Sequence, residues 1–282
     1  MTNTPAPSSE QSGNLNLPGT LVLVGAGKMG GAMLHGWLDA GAAADKITVI
    51  DPAPAADMLA LASKWGFSID SDASRVGEAA VVVLAVKPQI LDAAAAMLAP
   101  LMSSKPLVVS IAAGKSVADL ADAVGDAPIV RSMPNTPAAV GRGITAGFAG
   151  ANVDATGRDL ATALLGAVGD VVWLEDEDLM DAVTAVSGSG PAYVFWLTEC
   201  MAAAGRELGL PDEMADALAR ATVSGSGELM HQAADTASIL RENVTSPGGT
   251  TAAALEVLMA NDGLKPLMAK ALKAARDRAQ EL

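Results

Sequence analysis

Several residue types are nearly missing from this chain, and each shortage excludes a class of protein. Cys200 is the only cysteine in 282 residues, so no disulfide can form within the chain and a reducing compartment is expected. Aromatics make up 3% of the sequence, while alanine, valine, leucine, methionine and 28 glycines dominate; that mix suits closely packed helices better than an all-β sandwich. The two histidines, His35 and His231, have no cysteine, histidine or paired acid at ligand spacing, so no metal is expected. Cations are scarce too. Eighteen Lys and Arg face 32 Asp and Glu, a formal charge of −14, which argues against nucleic acid or an anionic membrane as the main partner. No Lys or Arg precedes Lys28, so the start lacks the basic region of a secretory signal. The charge-free run Ala182–Thr198 is interrupted by Ser187-Gly188-Ser189-Gly190-Pro191, too short and broken for a membrane span. A cytoplasmic protein is expected.

What remains is rich in apolar residues (51%) and long enough for two domains. Residues 1–18, rich in Pro, Ser, Asn and Thr, read as a loose tail. Apolar runs then recur at Leu21–Val24, Ile47–Ile50, Val81–Val86, Leu107–Ile111 and Ile129–Met133. Alanine-rich helical stretches, Lys28–Ala40, Ala55–Lys64 and Gln89–Ala99, separate them. Strands apolar on both faces and spaced by helices predict an α/β fold with a mostly parallel, doubly wound sheet. Ile144–Phe148, a helix over Val153–Val168 and Val171–Leu174 extend it, giving a domain over 19–174. From 175 to 282 only helices are predicted: Asp176–Val186, Pro191–Leu208, Pro211–Ala233, Ala237–Asn243, Thr250–Ala260 and Leu264–Leu282. Several are apolar around most of their circumference, which a single helical layer leaves unburied. A homo-oligomer formed through this domain is therefore expected.

Gly25-Ala26-Gly27-Lys28-Met29-Gly30 follows the first strand and opens the first helix. In that context G-x-G-x-x-G is a dinucleotide fingerprint of a Rossmann-like domain. Gly25 permits the turn, Gly27 admits the pyrophosphate, and Gly30 lets helix and strand pack; the helix N-terminus offers N–H groups to the anion. Asp51 ends the second strand, where a carboxylate can accept the adenosine ribose hydroxyls, or it serves only as a cap before Pro52. No cation follows until Lys64, which leans towards NADH over NADPH. Ala85-Val86-Lys87-Pro88 and Ile111-Ala112-Ala113 fall just past strand ends, where such sheets bind ligands.

Taken together, GAGKMG (25–30), AVKPQ (85–89), SIAAG (110–114), MPNTPAAVG (133–141), DAVTAVSGSGPAY (181–193) and NVTSPGGTT (243–251) resemble the pyrroline-5-carboxylate reductases. The resemblance implies NAD(P)H-dependent reduction of 1-pyrroline-5-carboxylate to L-proline, by dimers or rings of dimers formed through the helical domain. It places nucleotide contacts on Val24, Gly25, Ala26, Gly27, Lys28 and Met29, on Ile50 and Pro52, and on Ala85, Val86, Lys87 and Pro88. It adds Ile111, Ala112 and Ala113, a ribose-proximal position at Asp72 that is often Asn in the family, and Asn243 near the nicotinamide half. Glu177, Thr250 and Thr251 fall on its product-binding positions. Asp51 departs from the family's small polar residue. Many relatives prefer NADPH, so the charge reading and the resemblance point to different cofactors, and the cofactor is left as NAD(P)H.

Reduction of an imine asks little of the protein beyond orientation, a carboxylate site and one proton. Ser246-Pro247-Gly248-Gly249-Thr250-Thr251 leads into a predicted helix, so Ser246, Gly248 and Gly249 can form a backbone cradle for the carboxylate. Thr251 can set its hydroxyl against the ring nitrogen; the plainer reading makes Thr250 or Thr251 a helix cap. The Ser187–Pro191 segment either lines the same pocket or is a turn between helices. Cys200 is expected in the core, and Glu175–Asp178 reads first as an acidic helix start. Two other functions stay open. A β-hydroxyacid dehydrogenase needs a helix lysine, yet none lies between Trp173 and Arg241; a non-catalytic nucleotide sensor would have no use for the Gly-Gly-Thr-Thr turn.

Overall fold

The computed structural model describes residues 15–281. Most of the expected tail (1–14) and Leu282 lie outside the described residues. Residues 15–18 are not loose. Leu15 and Leu17 are buried, the Leu15 amide donates to the Ala40 carbonyl at 2.9 Å, and Lys46 Nζ donates to the Leu17 carbonyl at 2.8 Å. Two leucines at alternate positions suffice to pin a polar segment to the core.

Contacts divide the chain into two compact units: residues 15–188 with 275–281, and Ser189–Ala274. The first is an eight-stranded sheet in the order β3-β2-β1-β4-β5-β6-β7-β8, with β1 Leu21–Val24, β2 Ile47–Ile50, β3 Ser68–Asp70, β4 Val81–Leu84, β5 Leu107–Ser110, β6 Ile129–Met133, β7 Gly143–Ala149 and β8 Gly169–Trp173. Its helices are α1 Lys28–Asp39, α2 Ala56–Trp65, α3 Leu91–Met102, α4 Val117–Val124, α5 Ala155–Gly166 and α6 Met180–Val183. All strand pairs are parallel except β6–β7. Alternate residues feed opposite faces. Leu21, Leu23, Val81 and Val83 meet α1 and α5 through Leu34, Trp37 and Leu164, whereas Val22, Val24, Val82 and Leu84 meet α3 and α4 through Leu98 and Leu120. Both faces are covered, which is why these strands read as unbroken apolar runs.

The structure departs from the sequence reading at instructive places. β3 went unseen because Ser68-Ile69-Asp70 is short and half polar. α4 also went unseen, although Ser116 and Asp119 form a capping box at its start. The chain leaves β4 after Leu84 and β5 after Ser110, freeing Ala85–Val86 and Ile111 for loops. The helix expected over Asp176–Val186 is instead a 3-10 turn Glu177–Leu179, then α6, then a π-helical turn Thr184–Gly188. Thr184 and Ser187 hydroxyls donate back to the Met180 and Val183 carbonyls four residues earlier, and such bonds loosen a helix. Asn135 Nδ2 also donates to the Ser187 carbonyl at 3.2 Å. These ties hold the segment from 175 to Gly188 in the sheet unit.

The second unit contains α7 Gly190–Glu207, α8 Asp212–Gln232, α9 Ala237–Asn243, α10 Thr250–Leu258 and most of α11 Leu264–Ala279. α7 and α8 form a hairpin packed through small residues: Ala202, Ala215 and Ala219 are buried, and a Cβ on Gly205 would lie 3.5 Å from the Ala215 Cβ. Arg206 ties the corner to Asp212 and Asp216. Large apolar side chains stand outside this small core, among them Phe195, Trp196 and Leu208. Cys200, expected in the core, is exposed, because α7 buries little beyond Ala202 within the chain.

Candidate functional site

β1 and β4 are neighbours, but the chain continues from β1 towards β2 and from β4 towards β5. The connections diverge there, and the carboxyl ends of the two strands frame the crevice in which doubly wound sheets bind ligands. The glycine loop lies at this point. Gly25 has φ +87, and a Cβ there would stand 2.9 Å from the Ala85 carbonyl oxygen. A Cβ on Gly30 would collide with the Gly25 carbonyl oxygen at 2.3 Å. At Gly27 a Cβ would meet nothing within 4 Å. Two glycines are thus required by packing, and the third leaves open space on the side an anion would approach. Gly27 caps α1 without a side-chain bond, and no acid sits in the helix's first turn. The early N–H groups keep their positive end of the helix dipole.

The neighbouring strand ends complete this edge. Asp51 follows β2. Its Oδ2 accepts from the Ala26 amide at 3.1 Å and its Oδ1 from the Ala53 amide at 2.9 Å, so it braces the glycine loop rather than capping a helix. Ile50 is buried and Pro52 exposed. Asp72 accepts from the Ser74 amide at 3.0 Å. The Ser74 hydroxyl, then its amide, with Arg75 adding a smaller pull, hold the Asp72 carboxyl below the usual carboxylate range. The Ile111 amide donates to the Leu84 carbonyl at 3.1 Å, which draws Ile111–Ala113 alongside Ala85–Pro88. Ser110 Oγ accepts from the Ala112 amide at 3.2 Å. Lys28 and Lys87 are exposed.

Glu177 also belongs to this unit. Its Oε1 accepts from the Val117 amide at 2.8 Å and from Arg131 Nη1 at 2.9 Å, with Asp181 4.0 Å from the same guanidinium. Arg131 is paired in register with Ser110 and is buried, so its charge must be matched from within the protein. Sequence reasoning passed over it as part of an apolar strand; a cation at the centre of such a strand was itself the signal of a buried acidic partner. Glu177 therefore closes a staple between β6 and the start of α4, while Oε2 takes no protein hydrogen bond among the described residues.

The other expected residues lie in the helical unit. The Gly249 amide donates to the Ser246 carbonyl at 3.0 Å, closing a turn with Pro247 second and Gly248, at φ +69, third. That is the residue pair a type II turn favours. Gly249 is the N-cap of α10 and makes no side-chain cap bond. Thr250 and Thr251 are thus the first two helical residues and not caps, and their hydroxyls take no hydrogen bond among the described residues. Asn243 ends α9 and is exposed. The turn presents free N–H groups, two hydroxyls and no carboxylate, a donor set suited to an anionic ligand.

Comparison with known proteins matches both units. A family described as NADP oxidoreductase coenzyme F420-dependent matches residues 20–114, and one described as pyrroline-5-carboxylate reductase dimerisation matches residues 177–282. The pyrroline-5-carboxylate reductase of Pseudomonas aeruginosa is 42% identical over 264 residues, covering 93% of this chain and 96% of that protein. That of Synechocystis is 45% identical over 213 residues, covering 76% and 78%. Among solved structures, a pyrroline-5-carboxylate reductase from Coxiella burnetii superposes with a TM-score of 0.87 at 36% identity over 94% of this chain and 98% of its own. A Plasmodium falciparum pyrroline carboxylate reductase with NADP bound gives 0.78 at 30% identity over 94% and 98%. The chain belongs to the pyrroline-5-carboxylate reductase family.

Proposed function

We propose that the chain reduces 1-pyrroline-5-carboxylate to L-proline with NAD(P)H, the last step of proline biosynthesis. One observation carries this reading. A glycine loop open at Gly27, at the sheet's switch point, shares a chain with a helix that starts on Gly249 and presents two threonine hydroxyls.

The residues fit a dinucleotide. Gly25–Gly30 would hold the pyrophosphate, Ile50–Pro52 and Asp72 the adenosine ribose, and Ala85–Pro88, Ile111–Ala113 and Asn243 the half that carries the nicotinamide. When bound, the reduced nicotinamide supplies the hydride for the imine carbon. The protein's own work is binding, orientation and one proton. The Ser246–Gly249 turn and the start of α10 take the substrate carboxylate. Thr251 Oγ hydrogen-bonds the ring nitrogen; a threonine hydroxyl is a weak acid, so it orients the ring and relays a proton from water. Thr250 adds a second donor, and Glu177 Oε2 an acceptor. The apolar side chains exposed on α7 and α8 support a homodimer through the helical unit, alone or assembled into rings. The exposed thiol of Cys200 favours the reducing cytoplasm, and no helix of the described residues is long and apolar enough to cross a membrane.

The test is loss of reduced-nicotinamide absorbance when protein, 1-pyrroline-5-carboxylate and NADH or NADPH are mixed. No turnover with either cofactor overturns the reading. Thr251→Ala should lower kcat roughly tenfold to a hundredfold, the worth of one hydrogen bond to a charged group, and leave the dinucleotide Kd unchanged, while Thr251→Ser restores most of the rate.

A further inference from the structure

Three aspartates sit at the neighbouring strand ends near which the adenosine ribose would lie. Asp51 follows β2, Asp70 ends β3, and Asp72 comes two residues later. The Asp51 amide donates to the Asp70 carbonyl at 3.1 Å, so the two strand ends are side by side. Asp51 is also fixed in orientation. Both of its oxygens are held by main-chain amides, one of them Ala26 in the glycine loop itself. Turning the carboxylate away would strip that loop amide of its acceptor. Each oxygen keeps a further lone pair, and the 2′ and 3′ hydroxyls of a ribose can donate to it.

A 2′-phosphate changes the match. It offers acceptors in place of a donor, and between one and a half and two negative charges, to judge by the second ionisation of phosphate monoesters near pH 6. A site for it requires a cation that is free to turn. Between Ile47 and Val86 the cations are Lys64 and Arg75. Arg75 already lies 3.5 Å from Asp70 and 3.9 Å from Asp72. Lys64 is near the far end of α2, over its neighbour Trp65. At 1.5 Å per residue it stands about 12 Å along the helix from Ala56, away from the strand ends. Lys28 opens α1 and serves the pyrophosphate whichever cofactor binds.

Resting on the reading that this unit binds a nicotinamide dinucleotide, we infer that the chain selects NADH over NADPH, with Asp51 as the specificity-determining residue and Asp70 and Asp72 adding to the exclusion. The discrimination combines a hydrogen bond the ribose hydroxyl makes with a repulsion the phosphate meets.

Isothermal titration of the intact protein with NADH and with NADPH, without substrate, tests this apart from turnover. NADH should bind at least about tenfold more tightly, about 1.4 kcal/mol. Raising the salt should narrow the gap, because the repulsive part is screened. Asp51→Ser should shrink the ratio by about another factor of ten by weakening NADH and strengthening NADPH. Should the loop fail to fold in that variant, Asp51→Asn keeps an acceptor oxygen for Ala26 and removes the charge, and its ratio should fall as well. Equal or tighter NADPH binding by the unaltered protein overturns the inference, as does an unmoved ratio in folded Asp51 variants. A protein that prefers NADH but leaves 1-pyrroline-5-carboxylate untouched refutes the proposed reaction and leaves the cofactor assignment standing.

Discussion

Two tryptophans show how differently the two units are built. Trp37, on α1, is fully buried, and its Nε1 donates to the Leu164 carbonyl at 2.8 Å. Trp196, on α7, is 65% exposed, beside Phe195 at 62%. The α/β unit closes its core within one chain, because helices cover both faces of the sheet. The helical unit leaves large apolar side chains outside a core of alanines. Soluble chains rarely leave so much contiguous apolar surface without a partner, and the dimerisation match covers this stretch. The first unit's core is thus complete within the chain, and the second unit's is not; under the proposed homodimer its stability depends on the assembly.

Substitution at each tryptophan can break that contrast. Trp37→Ala should have the largest effect, about 3–5 kcal/mol lost to a buried cavity and an orphaned carbonyl partner. That is a large fraction of the roughly 5–15 kcal/mol that holds a typical domain. Urea unfolding at two protein concentrations would show the same loss at both. A cost below about 1 kcal/mol would mean that the face between α1 and α5 is not the closed core described here. The double substitution Phe195→Asp and Trp196→Asp should act differently. Sedimentation velocity should show smaller particles, and the urea midpoint should lose its dependence on concentration. NADH binding, whose proposed contacts apart from Asn243 lie in the other unit, should survive. An unchanged sedimentation coefficient would move the interface to another face of the unit.

The contrast also explains which parts were legible in the sequence. Strands buried on both faces announce themselves, so β1, β2 and β6 appear at their true limits. Gly25, Gly27 and Gly30 could be given separate roles because the motif encodes backbone clearance, which spacing records. What stayed hidden depends on partners distant in sequence. The bond from the Ala26 amide to Asp51 spans 25 positions, and that from Arg131 to Glu177 spans 46. No periodicity reports either. The π turn Thr184–Gly188 arises from hydroxyls competing for helix carbonyls, a local effect that an apolar pattern masks. Cys200 differs from its expected place for the opposite reason: an apolar helix face predicts burial within the chain. That inference holds for the α/β unit and fails in the helical unit, whose large apolar side chains stay exposed within the chain.

Helix starts sharpen the comparison at its smallest scale. Caps are mixed in both units: α7, α8 and α10 begin without a side-chain cap, as do α1, α2 and α3, whereas Thr236 caps α9 and α4 has a full capping box. Asp119 Oδ2 accepts from the Ser116 amide and hydroxyl. The hydroxyl first, and the amide second, lower its carboxyl below the ordinary value of 3.8. The folded state therefore prefers the ionised form, so this stabilisation is complete above pH 3.8 and is lost as the pH falls through the lower folded value. Asp119→Asn should cost about 0.5–1 kcal/mol at neutral pH, and urea midpoints of variant and parent should converge in acid. The cost stays small for a structural reason. The Val117 amide, next to the cap, is already held by Glu177, so the start of α4 keeps its anchor to β6 when the box is opened. A cost independent of pH would show that the box contributes through packing alone.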